Sequence, residues 1–332
     1  MTTAVITASA RMCRESVPVR AGAGTGASSG DWFRPSDYLG PRGYRYQTSS
    51  TRYLLAAIKL ALDQDPDSPG AYPESQRGVA MGTNFSDYDV REGFDRGILA
   101  PGGARNLSPL EAPNSSVNIP ASTVSIKHGC KAFSLTLTNP MVAGLEAVLV
   151  AAQALATGRA RWAAAGACEG TVPERLGGLL ACDAGPGAAA TLILESAQSA
   201  ADRKARVLGT LGGCAARFWP EPLWEGGAES RAAIALEKEL DRLALPARGS
   251  LALALPDHPS AVNRSLRDAL TRSLAARGLH AAPVAGPADD GRYAAVSSLL
   301  QMQSLLDRSG PGLAAATSPY GHVVLVALHV SG

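Results

Sequence analysis

Short apolar strands alternate with amphipathic helices along all 332 residues, which predicts an α/β fold with largely parallel or mixed sheets. A second observation concerns Val142–Thr157, which is hydrophobic almost all round. Such a helix belongs in the interior, so the expected fold is layered around it on both sides. A third is that the two halves share the order strand, helix, strand without an exact internal repeat.

The elements follow in order. Residues 3–9 (TAVITAS) are short and β-branched, and read as a buried strand. Residues 20–30 read as a loop; Gly22, Gly24 and Gly26 lack the following helix and acidic partner that a dinucleotide-binding turn needs. Residues 49–64 carry Leu54, Leu55, Ile58, Ala61 and Leu62 on one helical face. Strands are expected at 78–82 and 134–138, the second running through Asn139-Pro140 into the apolar helix. Strands 161–167 and 188–194 follow. The second half reads as helix 229–243, strand 250–255, helix 261–277 with arginines outside, helix 292–307 and a closing strand 322–330.

Composition narrows the function. Hydrophobic residues make up 46% and charged residues 18%, which suits a sizeable core and argues against disorder. The 31 basic and 29 acidic residues nearly cancel, so no charge footprint points to nucleic acid or a membrane surface. The first residues lack the basic region of a secretory signal, and no apolar run spans a bilayer, so a soluble, cytoplasmic protein is expected. The cysteine count is odd, at five, with no CxxC pair; reduced, mostly buried thiols are expected rather than disulfides or a zinc site.

Six segments together resemble one family, the β-ketoacyl-acyl-carrier-protein synthases. They are FRPSDYL (33–39), GVAMGTNFSDY (78–88), SVNIPASTVSIKHG (116–129), AGACEG (165–170), CDAGPGAAATLILE (182–195) and PYGHVVLVAL (319–328). They run in family order and cover nearly the whole chain. The resemblance implies a thiolase-like fold, layered α-β-α-β-α, in one domain over 1–332. It has an N-terminal half (1–195) and a shortened C-terminal half (196–332). No cofactor or metal is implied.

The departures from the family carry the functional expectation. The family places a nucleophilic cysteine in the turn before the buried helix, where free amides and the helix dipole stabilise a thiolate. Here the matching position is Met141, and a slip of one residue gives Pro140 or Val142, neither of them a nucleophile. Of the two family histidines, one corresponds to the neighbourhood of His258 in PDHP, and the other to Arg292, with Asp289 and Asp290 nearby. His258 reads equally as a family remnant or as a turn histidine.

A scaffold that keeps its shape and loses its nucleophile resembles the chain-length factors, the non-condensing ketosynthase β subunits of type II polyketide systems. GLEAV (144–148) also resembles that group, although the group usually carries glutamine where Met141 stands. The resemblance implies three partners: an active ketosynthase α subunit in a heterodimer, an acyl carrier protein, and the acyl or polyketide chain. It implies an interface strand bearing Ser134, Thr136 and Thr138, and a tunnel wall of Leu110, Pro113, Ser116 and Phe133. Arg264 and Arg267 are candidate carrier-protein contacts, or simply a solvated face.

The competing readings are a separate acyltransferase or hydrolase, for which Ser134, Thr138 or Cys130 would be the nearby nucleophile, and a stand-alone acyl-binding protein. Cys130, flanked by Lys131 and near His128, reads as a loop cysteine rather than a displaced nucleophile, and His128 as structural. His322 follows Gly321 and either points toward the old pocket or is satisfied by backbone. Asp183, Gly185 and Gly187 read as a turn.

Overall fold

The computed structural model describes residues 3–17, 32–180, 182, 185–287 and 290–332. The loop with Gly22, Gly24 and Gly26, and Asp183 and Asp289, lie outside them. The first half contains β1 (Ala4–Met12), α1 (Pro35–Leu39), α2 (Ser49–Leu62), β2 (Arg77–Gly82), α3 (Tyr88–Leu99) and α4 (Ile119–His128). It continues through β3 (Phe133–Leu137), α5 (Ala143–Ala156), β4 (Trp162–Glu169), α6 (Glu174–Leu180) and β5 (Ala188–Ser196). The second half contains α7 (Ala197–Asp202), β6 (Gly209–Phe218), α8 (Arg231–Leu240), β7 (Gly249–Ala254) and α9 (Ala261–Ala276). It ends with β8 (Leu279–Pro283), α10 (Ala295–Leu305), β9 (Gly310–Thr317) and β10 (His322–Val330).

The strand order β3-β2-β4-β5-β1-β6-β10-β9-β7-β8 contains a topological repeat. Read inward from either end, both halves run third, second, fourth, fifth, first. In each, the outer three strands are parallel and the rest antiparallel. The halves meet through a short β1–β6 ladder, Val5 opposite Thr210 and Ile6 opposite Gly209.

Three apolar cores separate the layers. The middle core surrounds α5 and α10 and takes Ala163, Ala165 and Ala167 of β4. The alternate residues Trp162, Ala164 and Cys168 face α2 on the outside, because successive strand side chains point to opposite faces. A third core joins α8 and α9 to the second half-sheet. The central helices cross at Gly144, where a Cβ would lie 2.4 Å from the Ala295 carbonyl oxygen. Only glycine permits that approach.

Helix ends follow local chemistry. Thr48, Ser230 and Ser260 each accept an amide hydrogen bond at the start of α2, α8 and α9. The expected helices 229–243 and 292–307 are shorter, since Ser230 caps the first and Ala294, at φ +46°, turns the chain before the second. Strands β6, β8 and β9 and helices α3, α4 and α6 were not legible as separate elements. Among the described residues, no helix is long and apolar enough to cross a membrane.

Candidate functional site

The site lies where β3 turns into the buried helix α5. Met141 stands in that turn with φ +62°, a left-handed conformation that costs a residue with a Cβ about 1–2 kcal/mol. The turn is held on every side. Val142 N–H donates to Pro140 O at 2.7 Å and Ala143 N–H to Asn139 O at 3.2 Å. Asn84 Oδ1 accepts the Met141 N–H at 3.0 Å, while Asn84 Nδ2 donates to the Thr138 and Asn139 carbonyls at 3.2 and 3.0 Å.

Asn84 is itself fixed by Glu169, at the end of β4. The fully buried Glu169 carboxyl accepts from Phe85 N–H (3.0 Å), Ser86 N–H (2.9 Å), Thr83 Oγ1 (3.1 Å) and the Asn84 amide. Burial pushes this carboxyl up to about 8, against those donors, which favour its charged form.

His258, just past β7, reaches the same site from the second half. It is only 2% exposed, so it is not a surface turn histidine. Its Nε2 lies 3.1 Å from both the carbonyl and the hydroxyl oxygen of Thr317. A carbonyl can only accept, so Nε2 carries the hydrogen and Nδ1 holds the lone pair. Nδ1 is buried without a hydrogen-bond partner. Burial lowers the pKa of His258, which keeps the ring neutral.

Gly291, at φ +76°, brings the two halves together. A Cβ there would lie 2.9 Å from Met141 Cε, 3.6 Å from His258 Cβ and 3.8 Å from Cys182 Cβ. Met141, 2% exposed, packs with Val172, Leu180 and Ala294, edged by Phe85 and Cys182. Cavities of about 470, 400 and 360 Å³ lie elsewhere, and neither Met141 nor His258 lines any of them.

Met141 and His258 thus approach one another across Gly291. Arg292 does not join them: its guanidinium is partly exposed and pairs with Asp290 at 2.8 Å. The next residue, Tyr293, is the buried one, and its hydroxyl donates to Glu15 Oε2 at 2.6 Å. Cys182 was missed as a site residue; its only signal was its place at the start of the glycine turn CDAGPG.

The other candidates resolve individually. Cys130 is buried, and burial pushes its thiol up to about 12. His128 closes α4 and its carbonyl accepts Arg77 Nη1 at 3.0 Å. His322 turns toward the β9–β10 hairpin, with Nδ1 2.9 Å from Ser318 Oγ. Leu110 is 66% exposed, and Pro113 and Ser116 are also exposed, between α3 and α4. Phe133 is different: it belongs to the central core at the far end of β3 from Met141. Its ring fills the space over Gly78, where an added Cβ would strike it. In this chain the ring is packed in the core rather than lying at the surface. Among the described residues, β3 is a sheet edge, with Ser134 and Leu135 exposed and Thr136 half-buried, and Thr138 exposed just past it.

Residues 36–199 match the family model described as "Beta-ketoacyl synthase, N-terminal domain". This segment belongs to the β-ketoacyl synthase family. The ketosynthase segment is also similar to 3-oxoacyl-(acyl-carrier-protein) synthase 2 from Vibrio harveyi, 27% identical over 41% of this chain and 33% of that protein. The enzyme of the same name from Rhizobium meliloti (strain 1021) is 28% identical over 48% of this chain and 38% of that protein. The chain thus matches about a third of the length of these curated relatives.

Solved structures extend the likeness in fold. The ishigamide ketosynthase/chain length factor matches with TM-score 0.78 at 20% identity, over 99% of this chain and 100% of that one. A type II polyketide synthase acyl-carrier protein in complex with its ketosynthase, bound to the hexaketide, matches with TM-score 0.79 at 16% identity, over 99% of both chains. A β-ketoacyl synthase from Burkholderia phymatum matches with TM-score 0.73 at 14% identity over the whole of both. The fold is the thiolase-like ketosynthase fold.

Proposed function

We propose that this chain is a chain-length-factor-type subunit: a non-condensing ketosynthase relative that pairs with an active ketosynthase and shapes the path of the growing acyl or polyketide chain. One observation carries the reading. At the position where the family resemblance implies the nucleophile, the chain has Met141, whose thioether cannot ionise and whose backbone N–H is already taken by Asn84. Such amides are the groups that would stabilise a thiolate or an oxyanion there.

The partner surface is the β3 edge. Its unpaired backbone groups need a cover, and a second ketosynthase-fold chain supplies a matching strand. Exposed apolar residues on the neighbouring elements support this, namely Leu99 on α3, Ile126 on α4 and Leu135 on β3 itself. In this assembly Leu110, Pro113 and Ser116 line the acyl path. The acyl carrier protein delivers the chain to the partner's nucleophile, and the likeness in fold to a ketosynthase/chain length factor and to a ketosynthase in complex with its carrier protein supports both partners.

The test is co-expression with an untagged ketosynthase from the same gene neighbourhood, followed by native mass measurement. A one-to-one complex is expected, with poor solubility when the chain is made alone. A soluble monomer or homodimer that ignores the ketosynthase overturns the proposal.

A further inference from the structure

Two adjoining cavities lie at the seam between the half-sheets, away from the Met141 turn. The β1–β6 ladder is short: only Val5 and Ile6 pair, and Leu208 N–H donates to Ile6 O at 2.8 Å. Past the bulge between Ile6 and Ala8, β1 runs on to Met12 without β6. At this gap lies the cavity of about 470 Å³, lined among others by Ser9, Arg11, Arg206, Gln303 and Asp307. The cavity of about 360 Å³ shares Arg11 and Asp307 with it and adds Ser304 and Arg308.

Three observations give the pair its chemistry. First, strand alternation aims Arg11. Ala8, Ala10 and Met12 pack into the outer core around α2, so Ser9 and Arg11 face the α10 side. Ser9 shows the direction, since its Oγ accepts from Gln303 Nε2 on α10 at 3.1 Å. Second, the walls are fixed. The buried Gln303 amide also donates to the Ala10 and Thr191 carbonyls at 2.9 and 3.0 Å, and Gln64 Nε2 donates to Ser9 O at 2.7 Å. Third, the charges are unmatched. Among the described residues, Arg11, Arg206, Arg308 and Asp307 make no ion pair, so three guanidiniums stand against one carboxylate.

We propose that this seam binds a phosphate ester bearing hydroxyl groups, the chemistry shared by nucleotides and sugar phosphates. Arg11, common to both cavities, holds the phosphate at their junction, with Arg206 on one side and Arg308 on the other. Guanidinium suits this role because its planar fork of N–H groups matches two phosphate oxygens at once. Asp307 sets the selectivity. As a carboxylate it only accepts, so it takes a hydroxyl of the ester and repels a bare anion. The two cavities give room for an ester, which inorganic phosphate alone leaves largely unfilled. Neither Met141 nor His258 lines them, so the site stands apart from the acyl reading.

The experiment is calorimetric titration of the whole chain, in the ketosynthase complex where one forms and alone where none does. The probes are ADP, ribose 5-phosphate and inorganic phosphate. At least one ester is expected to bind at one site per chain, about tenfold or more tighter than inorganic phosphate. Arg11→Gln and Arg206→Gln each weaken that binding by about tenfold, the effect of losing a hydrogen bond to a charged group. Arg264→Gln, the same charge change on the exposed face of α9, leaves it unchanged. Asp307→Asn removes the preference for ester over phosphate. Thermal melting without ligand confirms folding, and Arg206, being exposed, gives a variant that folds even where Arg11→Gln does not. No binding of either ester at millimolar concentration, equal affinity for ester and phosphate, no loss from the cavity arginines, or an equal loss from Arg264→Gln overturns the proposal. Formation of the ketosynthase complex is read separately, so either result stands without the other.

Discussion

Asn84 Oδ1 accepts the Met141 N–H at 3.0 Å, so one side chain from the loop after β2 occupies the amide of the turn that opens the buried helix. Catalytic turns of this kind work through free amides, and here that amide is satisfied within the chain. Replacing Met141 with cysteine alone should therefore give a sluggish thiol. The double variant Met141→Cys/Asn84→Ala, which frees the amide, should be alkylated by iodoacetamide several-fold faster. Equal rates would show that Asn84 does not restrain the turn.

Gly291 is the point where the two halves touch at the site. Gly291→Ala forces an alanine to φ +76° and places its Cβ 2.9 Å from Met141 Cε. The backbone alone costs about 1–2 kcal/mol. Chemical denaturation should show a loss of at least that size.

Phe133→Ala tests where the ring acts. As a residue of the central core over Gly78, its removal should cost about 3–5 kcal/mol in unfolding experiments. Product length should change little, whereas substitution of the exposed Leu110 should change it. A longer product from a stable Phe133→Ala complex would restore Phe133 to the acyl path.

A buried ion network fastens the outer side of the first half-sheet. Glu195, fully buried, accepts from Thr7 Oγ1 at 2.6 Å, from the Tyr72 hydroxyl, and from Arg203 Nε at 2.8 Å; Arg203 also pairs with Asp65. Arg203→Ala leaves a buried carboxylate without its cation and should cost about 3–5 kcal/mol. Removing one partner is what makes the loss large.

Glu169 gives a pH signature. Its carboxyl is raised in the folded state to about 8 by burial, so the folded protein holds a proton that the unfolded chain has released. That contribution is fully present below the ordinary carboxylate range and declines as pH rises toward about 8. Unfolding free energy measured across this window should fall with pH, and Glu169→Gln should flatten the slope. An unchanged slope would assign the pH dependence to other groups.

The strand–helix alternation, the largely apolar helix Val142–Thr157 and the turn at Met141 were legible because each is a local pattern. Strands β6 and β9 were not. Their runs GTLGGCAARF and GPGLAAAT are rich in glycine and alanine, and are held as strands by the neighbours they pair with rather than by their own propensity. At the site, the sequence pointed to Met141 and His258 but placed Arg292 beside them. Arg292 instead turns outward to Asp290, a partner two residues away that wins over the distant pocket. The approach of Cys182 to the Met141 turn was not legible because it depends on Gly291, more than a hundred residues later, folding against it.

Whether condensation needs a partner's nucleophile is read by reconstituting the ketosynthase complex with an acyl carrier protein and an extender unit. The elongated product is then measured by mass spectrometry, with the ketosynthase's active-site cysteine either intact or changed to alanine. Product is expected only with that cysteine intact, whatever residue stands at position 141 of this chain. Elongated product from the alanine complex, or from this chain alone, would contradict it.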